Sequence, residues 1–223
     1  MIFRNRAEAG RRLAGLLLHL KGSDPVVLAL PRGGVPVALP IAEALGAPLD
    51  LLLVRKIGAP GQPELALGAV VEGDPPQTVV NDDVVAELSV PPAFIAEAAE
   101  RELGEIARRR RLWLHGRPAV PRSGRTAVVV DDGIATGATV RAALSALERA
   151  GAARRVLAAP VAPRDTAEAL RALCDEAVFL AEPSDLGAVG AFYRDFRQLE
   201  DTEVAALLDR AAGAAAAGRQ GEG

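Results

Sequence analysis

The segment from Val128 to Thr139 (VVVDDGIATGAT) passes from an apolar run through two aspartates and a small-residue turn into a helical pattern. Three consecutive valines favour a β-strand, and an apolar run without polar alternation is typical of a sheet buried on both faces. Because the turn carries glycine and alanine, its backbone amides can approach a ligand closely. The helix predicted over residues 138–150 begins there, and its amino-terminal end favours an anion. The carboxylates could bind sugar hydroxyls, and the amides beside them could bind a phosphate. Together they indicate a site for a sugar phosphate.

Apolar runs alternate with helical patterns along most of the chain, which predicts an α/β fold with a doubly wound parallel sheet. Predicted strands cover residues 26–30, 49–54, 127–131, 155–160 and 175–180, and predicted helices cover 5–20, 35–45, 138–150 and 164–173. Residues 57–90 depart from this alternation. Strands predicted at 66–71 and 78–81 form an antiparallel extension, and the loop before them is rich in glycine and proline, so we expect it to be mobile.

A long helix is predicted over residues 92–115, because apolar side chains recur there at spacings of three and four. It contains the four consecutive arginines Arg108–Arg111. These form either a positive patch that attracts phosphate, or a solvated helix face or subunit contact, and the second interpretation is favoured.

The length of 223 residues fits a single domain, which we place at residues 1–212, followed by a flexible Ala/Gly-rich tail at 213–223. The net charge of −3 gives no electrostatic reason to expect nucleic acid or a membrane as a partner. The single cysteine, Cys174, excludes an intramolecular disulfide and a cysteine-based zinc site. No signal-peptide pattern is visible, so we expect a cytoplasmic protein.

The segment 128–139 resembles the phosphoribosyl-pyrophosphate (PRPP) signature of type I phosphoribosyltransferases: an apolar run, two acidic residues, two variable positions, then small-Thr-Gly-small-Thr. A generic strand-to-helix turn with a capping aspartate pair is the alternative, which so long a motif disfavours. The resemblance covers residues 25–60 and 125–200. It is closest to uncharacterised predicted phosphoribosyltransferases with a Pro-Arg-Gly-Gly loop and a Phe-Tyr-Arg-Asp-Phe segment. It implies a flexible lid loop and a small C-terminal hood at about 182–199.

A second glycine loop, Pro31-Arg-Gly-Gly34, also follows a predicted buried strand and precedes a helix. By itself it is typical of a tight turn with a surface arginine. Type I phosphoribosyltransferases carry a pyrophosphate-binding loop at this place, often with a non-proline cis peptide. The resemblance therefore implies a pyrophosphate role for Arg32, Gly33 and Gly34 and a cis Pro31–Arg32 bond.

The resemblance also assigns the remaining site residues. The implied catalytic residues are Arg32, Arg55, Lys56, Asp131 and Asp132, and the implied PRPP-binding residues are Arg32, Gly33, Gly34, Asp131, Asp132, Gly133, Ala135, Thr136, Gly137, Ala138 and Thr139. Mg²⁺ is the implied cofactor, held by Asp131 and Asp132 through substrate or water. Arg55 and Lys56, predicted to end a strand, would neutralise a diphosphate, although surface solubility explains them equally well. Phe192 or Tyr193 would stack on the acceptor, or else would fasten the terminal segment to the core.

The implied function is transfer of a 5-phosphoribosyl group from PRPP to a nitrogen nucleophile, with release of pyrophosphate. Hypoxanthine-guanine members have an aspartate just before the Thr-Gly pair, where this chain has Ala135, so a 6-oxopurine acceptor is disfavoured. Glu64 in the expected lid is a candidate acid or base. A non-catalytic PRPP or nucleotide sensor on the same fold is the alternative function. The expected partners are PRPP and an unidentified small acceptor, with a homodimer possible.

Overall fold

The structure is a computed structural model that describes residues 1–220, apart from the side chains of Pro63, Glu64 and residues 215–220. Its strands are β1 (Pro25–Ala29), β2 (Leu49–Leu51), β3 (Val54–Ala59), β4 (Gln62–Val71), β5 (Gln77–Val80), β6 (Thr126–Val130), β7 (Arg154–Val161) and β8 (Glu176–Ala181). Its α-helices are α1 (Arg6–Leu17), α2 (Gly34–Leu45), α3 (Asp82–Glu87), α4 (Pro92–Leu114), α5 (Ala138–Arg149), α6 (Arg164–Arg171) and α7 (Asp201–Gln220).

The central sheet has five parallel strands in the order β2-β1-β6-β7-β8. Alternate residues of its middle strands face two separate hydrophobic clusters. One cluster packs Val27 and Val128 against α1, α2, α4 and α7, and the other packs Val26 and Val129 against α5 and α6. Helices therefore cover both faces, which confirms the predicted doubly wound sheet and explains why its strands lack polar alternation.

A second sheet of three antiparallel strands, in the order β3-β4-β5, confirms the predicted extension. The expected lid loop is largely a β-hairpin here, because β3 and β4 continue to a tight turn at residues 60–61. Gly61 permits this turn, because its φ of 72° lies in the left-handed region, which glycine adopts without strain. Register shifts on both sides of Gly58 interrupt the pairing near the tip. The predicted strand 49–54 is likewise divided into β2 and the start of β3.

The last described element is α7, which the sequence analysis did not predict. Val204 and Leu208 of this helix are buried in the cluster that contains α2 and α4. The backbone remains helical to Gln220, past the expected start of the tail at residue 213. The physical reason is the alanine-rich sequence, because alanine has the highest helix propensity. The last three tail residues, 221–223, lie outside the described residues.

The arginine run in α4 is neither a phosphate patch nor a uniformly solvated face. The side chain of Arg110 is only 19% exposed, and its guanidinium donates to both Asp50 and Glu72 at 3.0–3.1 Å. Arg122 donates to the same Glu72 carboxylate at 2.8 Å. Two guanidinium groups thus balance two carboxylates whose exposed fractions are 3% and 8%. Sequence periodicity could not reveal this network, because its members lie far apart in the chain.

None of the helices within residues 1–220 combines the length and the apolar character that crossing a membrane requires.

Candidate active site

The two predicted phosphate loops lie side by side at the carboxyl ends of β1 and β6. These strands are neighbours in register, with Ala29 opposite Val130, and Leu30 N donates to Val130 O at 2.9 Å. The next strand after β1 in the chain, β2, lies on the other side of β1. The crevice between β1 and β6 is therefore a topological switch point, where open α/β sheets bind their ligands.

The Pro31-Arg-Gly-Gly34 loop is in contact with the aspartate pair through its glycines. A Cβ on Gly33 would overlap the carboxylate of Asp132, and one on Gly34 would lie 2.6 Å from Val130 O. Gly33 has an ordinary right-handed φ of −63°, so close approach, not backbone conformation, requires glycine there. The Pro31–Arg32 peptide is cis, which confirms the expectation for this bond.

The two aspartates are held by backbone and side-chain hydrogen bonds. Asp131 N donates to Ala158 O at 3.3 Å, and Asp132 N donates to Asp131 Oδ1 at 2.8 Å. Arg6 Nε of α1 donates to Asp132 Oδ2 at 2.6 Å, with both side chains less than 15% exposed. Burial, and then the negative charge of Asp132, raise the pKa of Asp131. Asp131 therefore retains its proton more strongly than an exposed carboxyl does.

The loop at residues 133–139 has the form expected of a phosphate cradle. Gly137 has a φ of 78°, a left-handed conformation that turns the chain into α5. Ala135, Thr136, Ala138 and Thr139 are exposed, whereas Gly137 is buried beneath them. The loop is fixed from behind, since Ile134 N donates to Val161 O at 2.9 Å. Exposed amides and two hydroxyls at a helix amino terminus can bind an anion.

Arg32 is directed towards the start of α7. Its Nη1 donates to Leu199 O at 2.8 Å, and its Nε lies 3.4 Å from Asp201 Oδ1. Asp201 also accepts a hydrogen bond from Trp113 Nε1 of α4 at 2.9 Å. Sequence reasoning missed Asp201, because no strand or glycine loop precedes it and only folding brings it to Arg32.

Arg55 and Lys56 lie at the start of β3 in the antiparallel sheet, and not at the end of a parallel strand as predicted. The parallel strand β2 ends at Leu51, so the two cations are displaced from the expected position by this break. Arg55 Nε donates to Glu102 Oε2 of α4 at 2.9 Å, while Lys56 is exposed. The side chain of the candidate acid Glu64 lies outside the described part of β4.

The aromatic residues of the C-terminal segment mainly fasten the chain ends together. Phe3 N donates to Phe192 O at 2.7 Å, which joins the first residues to the hood segment. Tyr193 is 6% exposed and packs against Phe3 and Phe196, with ring centroids 5.5 and 4.9 Å apart. Its hydroxyl donates to Asp132 O at 2.6 Å, and burial raises its pKa. This packing favours the fastening alternative for Tyr193 over stacking on an acceptor.

The donor set suits Mg²⁺ only when substrate is present. The two aspartates offer the carboxylate oxygens that this ion prefers, but Mg²⁺ takes an octahedral set of ligands and usually retains waters or phosphate oxygens. Among the described side chains, no group of three or more His, Cys, Asp or Glu residues could hold a metal ion. Substrate oxygens and water would therefore have to complete the coordination.

A cavity of about 660 Å³ lies elsewhere in the molecule, away from these loops. It is lined by the turn at residues 73–77, the segment 119–123 that precedes β6, and the carboxyl end of α5. Since neither glycine loop contributes to it, this cavity is not the expected sugar-phosphate site.

Comparisons with known proteins agree with this geometry. The family described as "Phosphoribosyl transferase domain" matches residues 1–191. Two Mycobacterium tuberculosis proteins, "Putative phosphoribosyl transferase Rv0571c" of strain H37Rv and "Putative phosphoribosyl transferase MT0597" of strain CDC 1551, are each 48% identical over 210 residues. The match covers 94% of this chain and 47% of each relative, so the chain spans about half of their length.

Among solved structures, the protein TT1426 from Thermus thermophilus is 44% identical, with a TM-score of 0.81. The match covers 93% of this chain and 98% of TT1426, so nearly the whole of that chain has the same fold. This match agrees with the family match over residues 1–191 and with the two glycine loops at one switch point. The chain belongs to the phosphoribosyl transferase domain family.

Proposed function

We propose that the protein transfers a 5-phosphoribosyl group from PRPP to a nitrogen nucleophile and releases pyrophosphate. The observation that carries this proposal is the convergence of the loops 31–34 and 131–139 on the crevice between β1 and β6. One loop offers amides beside an arginine for a diphosphate. The other offers two carboxylates for ribose hydroxyls, followed by a helix amino terminus for the 5′-phosphate.

The reaction would be a displacement at the anomeric carbon. The bond from C1 to the pyrophosphate oxygen breaks, the oxygen keeps the electron pair, and C1 bonds to the acceptor nitrogen. A neutral acceptor then releases the proton of that nitrogen to solvent, whereas an anionic acceptor has none to release. Asp131 and Asp132 would hold the 2′ and 3′ hydroxyls, and the exposed amides and hydroxyls of residues 135–139 would hold the 5′-phosphate. Mg²⁺ would supply neutralisation of the departing pyrophosphate.

Arg32, with Arg55 and Lys56, would neutralise the pyrophosphate on the protein side. Arg32 needs to exchange its present partners, Leu199 O and Asp201, for the ligand. Arg55 would likewise leave Glu102. Both exchanges involve side chains that are about one-third exposed, so each requires only rotation of a long, partly solvated side chain.

The acceptor is proposed to be something other than a 6-oxopurine. Residue 135 is alanine and exposed, so the position just before Thr136 and Gly137 offers no carboxyl for proton exchange with a purine. A positioned acid or base typically contributes about 10²- to 10⁴-fold to a rate. Hypoxanthine and guanine should therefore be turned over slowly, whereas an acceptor that enters as an anion needs no such acid. Efficient turnover of either purine by the native chain would contradict this proposal.

A sensor that binds PRPP without turnover is the second candidate. It is favoured because the guanidinium groups of Arg32 and Arg55 are already bound to protein partners. Two measurements separate it from the enzyme. Calorimetric titration should show Mg²⁺-dependent PRPP binding that Asp131→Asn with Asp132→Asn greatly weakens while the circular dichroism spectrum is retained. Unchanged affinity in that variant would refute the site. Pyrophosphate release from PRPP, screened with nucleobases and small amines, then distinguishes a transferase from a sensor.

A further inference from the structure

Arg6 connects three separate parts of the chain at the aspartate pair. Its Nε donates to Asp132 Oδ2 at 2.6 Å, and its Nη1 donates to Arg197 O at 2.9 Å. The guanidinium carbon lies 3.9 Å from the centroid of the Phe196 ring. Thus one side chain from α1 contacts both an expected ribose-binding carboxylate and the hood segment.

The contacts around Asp132 leave little freedom for its carboxylate. Gly33 is in contact with it on one side, and Arg6 holds Oδ2 on another. Tyr193 fixes the backbone by donating to Asp132 O at 2.6 Å. Asp132 N in turn donates to Oδ1 of Asp131, so the two aspartates also hold each other.

We propose that Arg6 is a positioning residue of the PRPP site, which orients the Asp132 carboxylate. This inference rests on the proposed function and adds a residue that no strand or loop motif contains. The planar guanidinium suits the task, because two of its N–H groups donate in fixed directions while its face lies on an aromatic ring. Substrate hydroxyls would then meet an oxygen whose orientation is set before binding, which reduces the entropy lost on binding.

The orientation of the Asp132 carboxylate makes the proposal testable without substrate. Replacement of Arg6 by glutamine removes the cation that holds Asp132 Oδ2, so the carboxylate should leave its present orientation. Lysine keeps the charge, but its single ammonium nitrogen cannot donate to both Asp132 Oδ2 and Arg197 O as two nitrogens of the guanidinium do.

The experiment compares Arg6→Gln and Arg6→Lys with Arg11→Gln, which removes the same charge from an exposed position on the same helix. Crystal structures of the ligand-free proteins compare the orientation of the Asp132 carboxylate, and calorimetry measures Mg²⁺–PRPP binding at neutral pH. We expect Arg6→Gln to lose the native carboxylate orientation and to bind PRPP about tenfold more weakly, as for loss of one charge-assisted hydrogen bond. Arg11→Gln should match the native protein in both measurements.

Arg6→Lys should recover only part of the affinity. Native affinity in the lysine variant, or an unchanged Asp132 orientation in Arg6→Gln, would overturn the orienting role. If the native chain itself fails to bind PRPP, the proposed function falls, while the ligand-free structures still decide whether Arg6 orients Asp132. A glutamine variant that does not fold leaves the lysine variant to decide, through the same two measurements.

Discussion

Two features of individual residues shape this site: the close contact between Gly33 and Asp132, and the charge of Asp131 beside Asp132. Gly33 abuts Asp132, although its backbone would accept any residue. Asp131 is partly buried beside a second carboxylate, and both conditions raise its pKa. The charged form of Asp131 is thus electrostatically unfavourable, a property that is common among residues of active sites. Substitutions at these two positions test the contact and the charge separately.

Gly33→Ala should weaken Mg²⁺–PRPP binding more than it affects folding. The new methyl group would displace the Asp132 carboxylate from Arg6, and overpacking of this size costs about 1–3 kcal/mol. Calorimetry and urea unfolding measure the two effects separately. Gly15→Ala in α1 is the control, because a Cβ there would meet nothing within 4 Å. Equal PRPP affinities in the two variants would contradict the contact.

Asp131→Asn should stabilise the ligand-free protein at neutral pH while removing PRPP binding. The folded pKa of Asp131 lies above its ordinary value of 3.8, so the folded state binds the proton more tightly than the unfolded state. Its ionisation therefore lowers the free energy of unfolding as the pH rises above 3.8, and full stability returns below it. Thermal unfolding from acidic to neutral pH should show the advantage of the variant growing with pH. A constant difference would argue against this cause.

At the scale of elements, the antiparallel hairpin is the part of the site that the sequence described least well. The glycines and prolines between 57 and 66 indicated a loop, but the chain forms two strands that pair through a shifted register at Gly58. Pairing between β3 and β4, which joins Gly58 to Ala66 and Ala59 to Gln62, here overrides the local preference of such residues. The hairpin stands where a lid is expected, and a lid there would exclude water from the proposed site.

The hairpin tip should exchange its amide hydrogens faster than the rest of β3 and β4 and should gain protection with Mg²⁺–PRPP. The reason is that the pairing is irregular beyond Ile57, whereas Val54–Ile57 pair regularly with β4. Hydrogen exchange by mass spectrometry across residues 57–66 measures this. The ligand-free segment 54–57 serves as the internal reference. Strong and equal protection of the tip in both states would exclude a lid role.

At the scale of the whole molecule, ionic contacts occur in two separate regions, one in the proposed site and one between elements of the fold. The Arg6–Asp132 pair lies in the proposed site, whereas the network of Asp50, Glu72, Arg110 and Arg122 joins β2, the end of β4, α4 and the segment before β6. Asp50 accepts from the Val120 and Leu51 amides as well. Such a group is costly to remove, because its partners would remain buried without compensation.

Asp50→Ala should lower the free energy of unfolding by about 3–5 kcal/mol, the range for breaking a buried ion pair. Urea unfolding at neutral pH measures the loss. Asp209→Ala is the matched control, since its side chain in the pair with Arg117 is half exposed and such surface pairs contribute about 0–1 kcal/mol. A loss below about 1 kcal/mol for Asp50→Ala would show that the network is not needed for stability.

The sequence by itself determined the parallel α/β sheet, the positions of most helices and the two glycine loops, because these depend on short-range patterns of apolar, acidic and small residues. The tertiary structure decided which distant side chains meet. Arg6 reaches Asp132 across 126 positions, Arg32 reaches Leu199 across 167, and Arg110 turns inward to Asp50. Charged side chains are long and their partners are chosen by the fold, so no local spacing encodes these contacts. The burial that raises the pKa of Asp131 likewise exists only once β6 is enclosed on both faces.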